Sequence, residues 1–481
     1  MALAALAASA CAAGARQIVE PRDLSAGGGS PHISEVVDLG GMDIPINGTL
    51  RPQGRPDGVA VVGEALWIRG SSFGRQPTVQ IAGRPVAALS RTGDGGILVR
   101  VPVAGPAGVQ PVVVANEHGR AEAPLSIRRY AGLLWPGGGG VSWWQLGGTA
   151  APAPVGDTGL PGARFLVMGA DGRAAYAAAE EGPLTVVELP AQDRPAIAGH
   201  LDIGKGSLVA LASAAAAHVV AVVRPAEVLL VDSSSPLHPL RGATRALPAA
   251  LRAGRPLRAE LSPDGRELAL ALAAGNRVAL VGLGPDAGEE VADLELAPEV
   301  HAPVIVDLCF ARDGGTLWVL TGDTAESRPV GPQPTRVFAL RIVRGQGRPR
   351  LERARNVVLE EAASPARLAV GKTLALTSGA AVRLPPEKAT VYLAAATRER
   401  PAVFALGPED AATEVMTGAP GRRIEALDTT PDGGALLAAA LAGDGAVEVL
   451  AAPTDGRGAS PRPVSAGSAS GRGPTELRVQ P

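Results

Sequence analysis

The chain has 481 residues, 46% of them hydrophobic, with 62 glycines, 43 prolines, two cysteines and only 3% aromatics. That length exceeds one ordinary domain and supplies ample apolar material for a core. Lys and Arg number 45 against 47 Asp and Glu, a formal net charge of −2, so no field of one sign exists to hold a phosphodiester backbone, and nucleic-acid binding is disfavoured. Two cysteines make neither a disulfide framework nor a multi-thiolate zinc site. No apolar run approaches the roughly 20 residues of a membrane-spanning helix.

Residues 2–10 are small or apolar except Ser9, and Cys11 follows directly. Ala8-Ser9-Ala10 fits the small-residue cleavage pattern of an export signal. The Ala-Ser-Ala-Cys run resembles a bacterial lipobox. That resemblance implies cleavage before Cys11, lipid attachment on it, and an outer-membrane lipoprotein facing either side of that membrane. Residues 12–55, with Gly27-Gly28-Gly29-Ser30-Pro31, then read as a flexible tether and lead-in. The alternatives are a secreted soluble protein cut at a similar place, or a disordered Ala-rich terminus. Cys309, in the apolar run Val304–Phe310, is expected to be an inert core residue.

From 56 to 130 short strands follow one another between Gly and Pro turns: Ala65–Arg69, Thr78–Ile81, Ile97–Val101, Gln110–Ala115 and Leu125–Ile127. This spacing predicts an antiparallel sandwich. Leu66-Trp67-Ile68-Arg69-Gly70-Ser71-Ser72-Phe73-Gly74, Val79-Gln80-Ile81-Ala82-Gly83, Val99-Arg100-Val101-Pro102 and Val112–Asn116 with Gly119 together resemble the IPT/TIG family, an immunoglobulin-like fold. Gly70–Gly74 also fits G-x-S-x-G, the nucleophile elbow of serine hydrolases. An elbow must open a helix, whereas Arg75-Gln76-Pro77 and a strand come next, so a tight turn with Phe73 packed inward is expected instead.

Residues 131–452 repeat. Leu261-Ser262-Pro263-Asp264-Gly265 leads into Leu268–Leu272, a second tight turn at Gly275-Asn276, and Arg277–Val281. Asp-Gly marks such turns because Asp accepts a local backbone hydrogen bond and Gly supplies the positive φ. Copies centre near 171, 216, 264, 313, 387 and 432, mostly 45 to 49 residues apart, with one wide gap assigned to a basic insertion over 341–359. A period in the mid-forties built from short strands predicts a β-propeller. Six blades are explicit; a seventh, joining residues around 141–167 to a late strand, would close the ring. The repeats resemble the YVTN and WD-repeat-like bacterial propellers, without their Trp-Asp or Gly-His dipeptides. The alanine-rich strands predict thin, poorly filled layers between blades. Residues 453–481 read as a disordered, Gly/Ser/Pro-rich tail. The fold expected is thus all-β: an Ig-like sandwich, then a propeller of six to seven blades.

Candidate chemistry is sparse. No histidine pair has metal-ligand spacing, and no catalytic, cofactor or metal residue is assigned. Gly199–Lys205 approaches the phosphate-binding G-x-x-x-x-G-K-[ST], but Gly206 stands where the hydroxyl belongs, and a blade-to-blade turn is the better reading. Asn47-Gly48-Thr49 matches a glycosylation sequon of little meaning beside a bacterial lipobox. His218, Asp232, His301, Asp307 and Glu387 are the side chains that a propeller channel could gather; ordinary turn roles suit each of them better. Trp143-Trp144 is read as a hinge or inter-domain packing element. The expected role is non-enzymatic: a monomer binding or scaffolding a protein or glycan partner at the cell envelope, held to the membrane by lipid alone. An assembly factor for outer-membrane complexes is a subset of that role. The runner-up is a propeller hydrolase of lactonase type with the sandwich as accessory.

Overall fold

The structure, a computed structural model, describes residues 29–39, 55–91, 95–103, 105–135, 139–147, 152–191, 193–214, 216–273, 277–284, 291–296, 304–322, 335–344, 349–359, 364–370, 374–377, 380–383, 391–396, 401–406, 412–417, 420, 422–429, 435–442, 447–453, 464–466 and 476–480. Cys11, the tether before residue 29, Asn47-Gly48-Thr49, His301, Glu387 and the turn at 431–434 lie outside them. Among the described residues no helix is long and apolar enough to cross a membrane. The chain divides into two compact units.

The first unit holds residues up to Gly58, then Ala65–Arg100 and Pro111–Pro124. One antiparallel sheet has the order His32–Asp38, Ala65–Ser71, Ile97–Arg100, Ser90–Arg91. In the other, Thr78–Ile81 pairs with Arg84–Val86 on one side and with residues 112–115 on the other. Val79, Ile81, Val112 and Val114 alternate with less buried neighbours, the period-two signature of a sheet with one covered face. Val37, Leu39, Ala65, Trp67 and Leu98 form one apolar cluster. Gly70–Gly74 is a turn leaving a strand: Phe73 is buried against Gly70, Ser72 sits at φ 57°, and Asn116 Nδ2 donates to the Ser72 carbonyl at 2.7 Å. No helix follows it.

The second unit carries a succession of four-stranded antiparallel sheets, numbered as blades in chain order. Blade I is Ala163–Met168, Ala174–Ala179, Leu184–Glu188 and Ala196–Leu201; blade II is Ala210–Ser213, Val219–Val223, Glu227–Asp232 and Leu240–Ala246. Blade III is Pro256–Leu261, Glu267–Leu272, Arg277–Gly282 and Val291–Glu295; blade IV is Val304–Phe310, Thr316–Gly322, Thr335–Val343 and Arg350–Leu359. Blade V is Ser364–Val370, Val391–Ala396, Pro401–Leu406 and Ala412–Thr417; blade VI is Arg422–Thr429, Ala435–Ala442, Val447–Pro453 and Val464–Ala466. The first strands of blades I to VI pack one against the next, and Glu476–Val479 packs between those of VI and I, closing the circuit. Glu476–Val479 also pairs antiparallel with Ala131–Leu134, which pairs with Gly140–Leu146, which pairs with Ala153–Thr158. Blade VII is therefore assembled from both ends of the unit, so the described residues form a closed β-propeller.

Local chemistry explains the repeat. In blades I, III and IV the turn Asp accepts a hydrogen bond two residues on: Arg173 N–H to Asp171 at 3.0 Å, Arg266 N–H to Asp264 at 3.2 Å and Gly315 N–H to Asp313 at 2.8 Å. The intervening glycines, at φ 76°, 71° and 67°, occupy the left-handed region that a side chain resists.

Four features differ from the sequence expectations. Arg341–Leu359 is no insertion: it holds the end of the third strand and the whole fourth strand of blade IV. The surplus length is instead a hairpin, Leu374–Thr377 with Ala380–Arg383, placed between the first two strands of blade V. Residues 464–466 and 476–479, within the segment read as disordered, are strands, because backbone pairing across a ring needs little local propensity. In the layers on either side of blade III the alanines do not leave thin packing. In Glu267–Leu272, Leu268, Leu270 and Leu272 face blade II while Ala269 and Ala271 face blade IV, where Leu308, Phe310, Leu317 and Phe338 fill the space. Small faces meet large ones, which is how close packing is reached without strain.

Candidate functional site

The inner strands converge on a small central cavity. Its wall is drawn from blades I, II, III, IV, VI and VII. The charged part of the wall is Arg258 and Glu260 of blade III, Asp307 of blade IV and Arg478 of blade VII; Phe165, Leu211, Leu427 and Leu477 supply apolar surface, and Cys309 joins them. Arg258 and Glu260 stand two apart on one strand, so the pleat points both to the same side.

The cavity joins the ring closure. Arg478 donates from Nε to the Leu166 carbonyl of blade I at 3.2 Å. On its other side Asp428 of blade VI accepts from the Val479 N–H at 2.7 Å and from the Thr429 N–H at 2.8 Å. Burial pushes the Asp428 carboxyl above the usual carboxylate range; Arg478, the two N–H donors and Arg312 pull against it without reversing it. Beyond the strand, Gln480 is fully buried and knits three segments together. Its N–H donates to the Tyr130 carbonyl at 2.9 Å, its side-chain oxygen accepts from the Tyr130 N–H at 2.7 Å, and its amide nitrogen donates to the Gly172 carbonyl. Arg129 donates to the Gln480 carbonyl at 2.7 Å.

Cys309 is half-buried rather than sealed in the core. Burial, with the carboxylates of Asp307, Glu260 and Asp428 close by, pushes its thiol well above its ordinary value, and Arg478 opposes this weakly. Such surroundings disfavour the thiolate, the nucleophilic form.

Of the side chains that sequence reading offered for the channel, Asp307 lines it. His218 and Asp232 are exposed neighbours at the end of blade II, where Asp232 accepts the Ser234 N–H at 2.9 Å, a turn role. Trp143 and Trp144 present no stacking platform. Both are buried in blade VII, and Trp143 donates to Thr158 Oγ1 at 3.0 Å. Arg258, Glu260 and Arg478 were not singled out by sequence, since each reads as one more polar position on an alternating strand. Among the described residues no group of three His, Cys, Asp or Glu is arranged to hold a metal ion.

No protein-family model matches the chain, and no curated protein is significantly similar to it in sequence. Solved structures are similar. A periplasmic gluconolactonase of Pseudomonas aeruginosa is 14% identical over 74% of this chain and 99% of its own, with a TM-score of 0.48. A quinonprotein alcohol dehydrogenase-like protein of Bacteroides thetaiotaomicron is 12% identical over 93% and 98%, at 0.42. The β-propeller domain of Swd1 from Myceliophteria thermophila is 13% identical over 64% and 88%, at 0.40. Likeness at this distance transfers no residue and no activity to this chain.

Proposed function

We propose that this protein is a non-enzymatic binding or scaffolding protein of the cell envelope, recognising a polar protein segment or a glycan through its propeller. The observation that carries the reading is the make-up of the channel wall: Arg258 and Arg478 set among Glu260 and Asp307 on rigid inner strands, with apolar surface between them. A wall of mixed charge and apolar patches suits a ligand that both donates and accepts hydrogen bonds. The immunoglobulin-like segment at 56–130, on its IPT/TIG resemblance, adds a second recognition module. A lipid on Cys11 would hold the protein to the outer membrane.

Crosslinked pulldown from envelope extracts and glycan-array binding, both with the full chain, test this. Retention of a partner that falls at least tenfold in Arg258→Ala or Asp307→Ala is the expected result. Equal retention by both variants would overturn the channel as the recognition site.

One observation favours a second reading, a lactonase-type hydrolase: two carboxylates, Glu260 and Asp307, share the cavity with two guanidiniums. Lactone opening by the full chain that disappears in Asp307→Asn or Glu260→Gln, with the fold intact, would replace the first reading by this one.

A further inference from the structure

The near-match to a phosphate-binding loop, Gly199–Lys205, begins in the last strand of blade I and runs into the link to blade II, after Leu201 and before Ala210. It is a blade-to-blade turn, but its surroundings are unusual. Gly204 and Gly206 lie at φ 82° and 122°, with Lys205 exposed between them. The point where a Gly204 Cβ would stand is 3.5 Å from Arg241 Nη2 and 3.8 Å from Arg224 Nη2. The corresponding point at Gly206 is 3.5 Å from Arg224 Nε. Two guanidiniums therefore close over bare backbone, and a side chain at either glycine would fill the gap beneath them.

The acids nearby are already engaged. Asp202 accepts the Gly204 N–H at 2.8 Å, Glu227 pairs with Arg224 Nη1 at 2.7 Å, and Glu180 takes Ser207 and Arg164. Arg224 also donates to the Ile203 carbonyl at 2.5 Å, which fixes its direction. Its side chain is 6% exposed, yet its Nε has no hydrogen-bond partner. Among the described residues, Lys205 and Arg241 have neither an acidic nor a hydrogen-bonding partner. A buried guanidinium N–H left unpaired costs free energy, and with Glu227 on Arg224 and Asp202 on the turn the three cations still leave an excess of positive charge that attracts an anion.

We propose that the Gly204–Gly206 turn, with Lys205, Arg224 and Arg241, is a binding site for a phosphate-type oxyanion, free or as an ester. Arg224 is the fixed wall, Arg241 the exposed arm that closes from the outer strand of blade II, and Lys205 the outermost charge. Arg224 offers its unpaired Nε–H and Arg241 a planar fork, donors that match the oxygens of such a group. None of its three cations is among the residues lining the channel, and the site does not rest on the channel's role.

Calorimetric titration of the full chain with inorganic pyrophosphate, at constant ionic strength, tests the site. A parallel arm uses phosphatidylglycerol vesicles to tell a free anion from a lipid headgroup. Saturable binding is expected in at least one arm. It should weaken at least tenfold in Arg241→Ala and at least threefold in Lys205→Ala, and stay unchanged in Arg120→Ala. Far-UV circular dichroism of each variant should match the parent, because Arg241 and Lys205 are exposed. Saturation by pyrophosphate assigns a free anion, and saturation by vesicles alone assigns a headgroup. Absence of saturable binding in both arms, or binding unchanged by Arg241→Ala, would overturn the proposal.

Discussion

Gln480 shows how much one side chain near the chain end can hold. Its amide satisfies the Tyr130 N–H and the Gly172 carbonyl, groups separated by more than 300 residues from it. Gln480→Ala strands both in a buried site, so unfolding in urea should show a lower midpoint at an unchanged slope, by about 2 kcal/mol. At the turn of blade III, burial alone would raise the Asp264 carboxyl. The Ser262 hydroxyl, the Arg266 N–H and the guanidiniums of Arg266 and Arg344 outweigh it and hold the group below its ordinary value. A carboxyl lowered on folding adds stability above its unfolded pKa and loses it as pH falls through the folded one. Thermal melts should therefore drop below about pH 4, and Asp264→Asn should flatten that drop. An equally steep acid limb in the variant would assign the effect to other carboxylates.

At the scale of a strand, alternation was legible and its meaning was not. Leu268–Leu272 reads from sequence as a strand, and the structure buries both of its faces, leucines toward blade II and alanines toward blade IV. Leu270→Ala should cost about 2–5 kcal/mol by leaving a cavity. Ala269→Leu should cost about 1–3 kcal/mol by overfilling the layer against Leu308 and Phe338. Comparable denaturation midpoints for the parent and Ala269→Leu would mean that the layer is as loose as alanine content alone suggests. The Asp-Gly turns were legible because the chemistry is local, within two residues. The strand at Glu476–Val479 was hidden because its partners, Ala131–Leu134, stand more than 300 residues away. Gly/Ser/Pro-rich flanks say nothing about a pairing fixed by ring closure.

For the whole molecule, the period of the repeat announced a propeller, while the channel could not be read in advance. Arg258, Glu260, Asp307 and Arg478 come from three blades, and only the circular arrangement brings them to one wall. No spacing motif records such a site. The same closure that builds the wall also makes the ring a single unit, since each blade buries its faces against its neighbours. Hydrogen exchange of the intact chain, compared with a chain ending at residue 474, tests the closure most directly. In the intact protein, residues 131–134 and 476–480 should be protected together. In the shortened chain, protection should fall at 131–134 and along the inner strands Ala163–Met168 and Arg422–Thr429 that flank the gap. Exchange of 476–480 at the rate of a free tail in the intact protein, with 131–134 unaffected by the truncation, would contradict a ring sealed by its last strand.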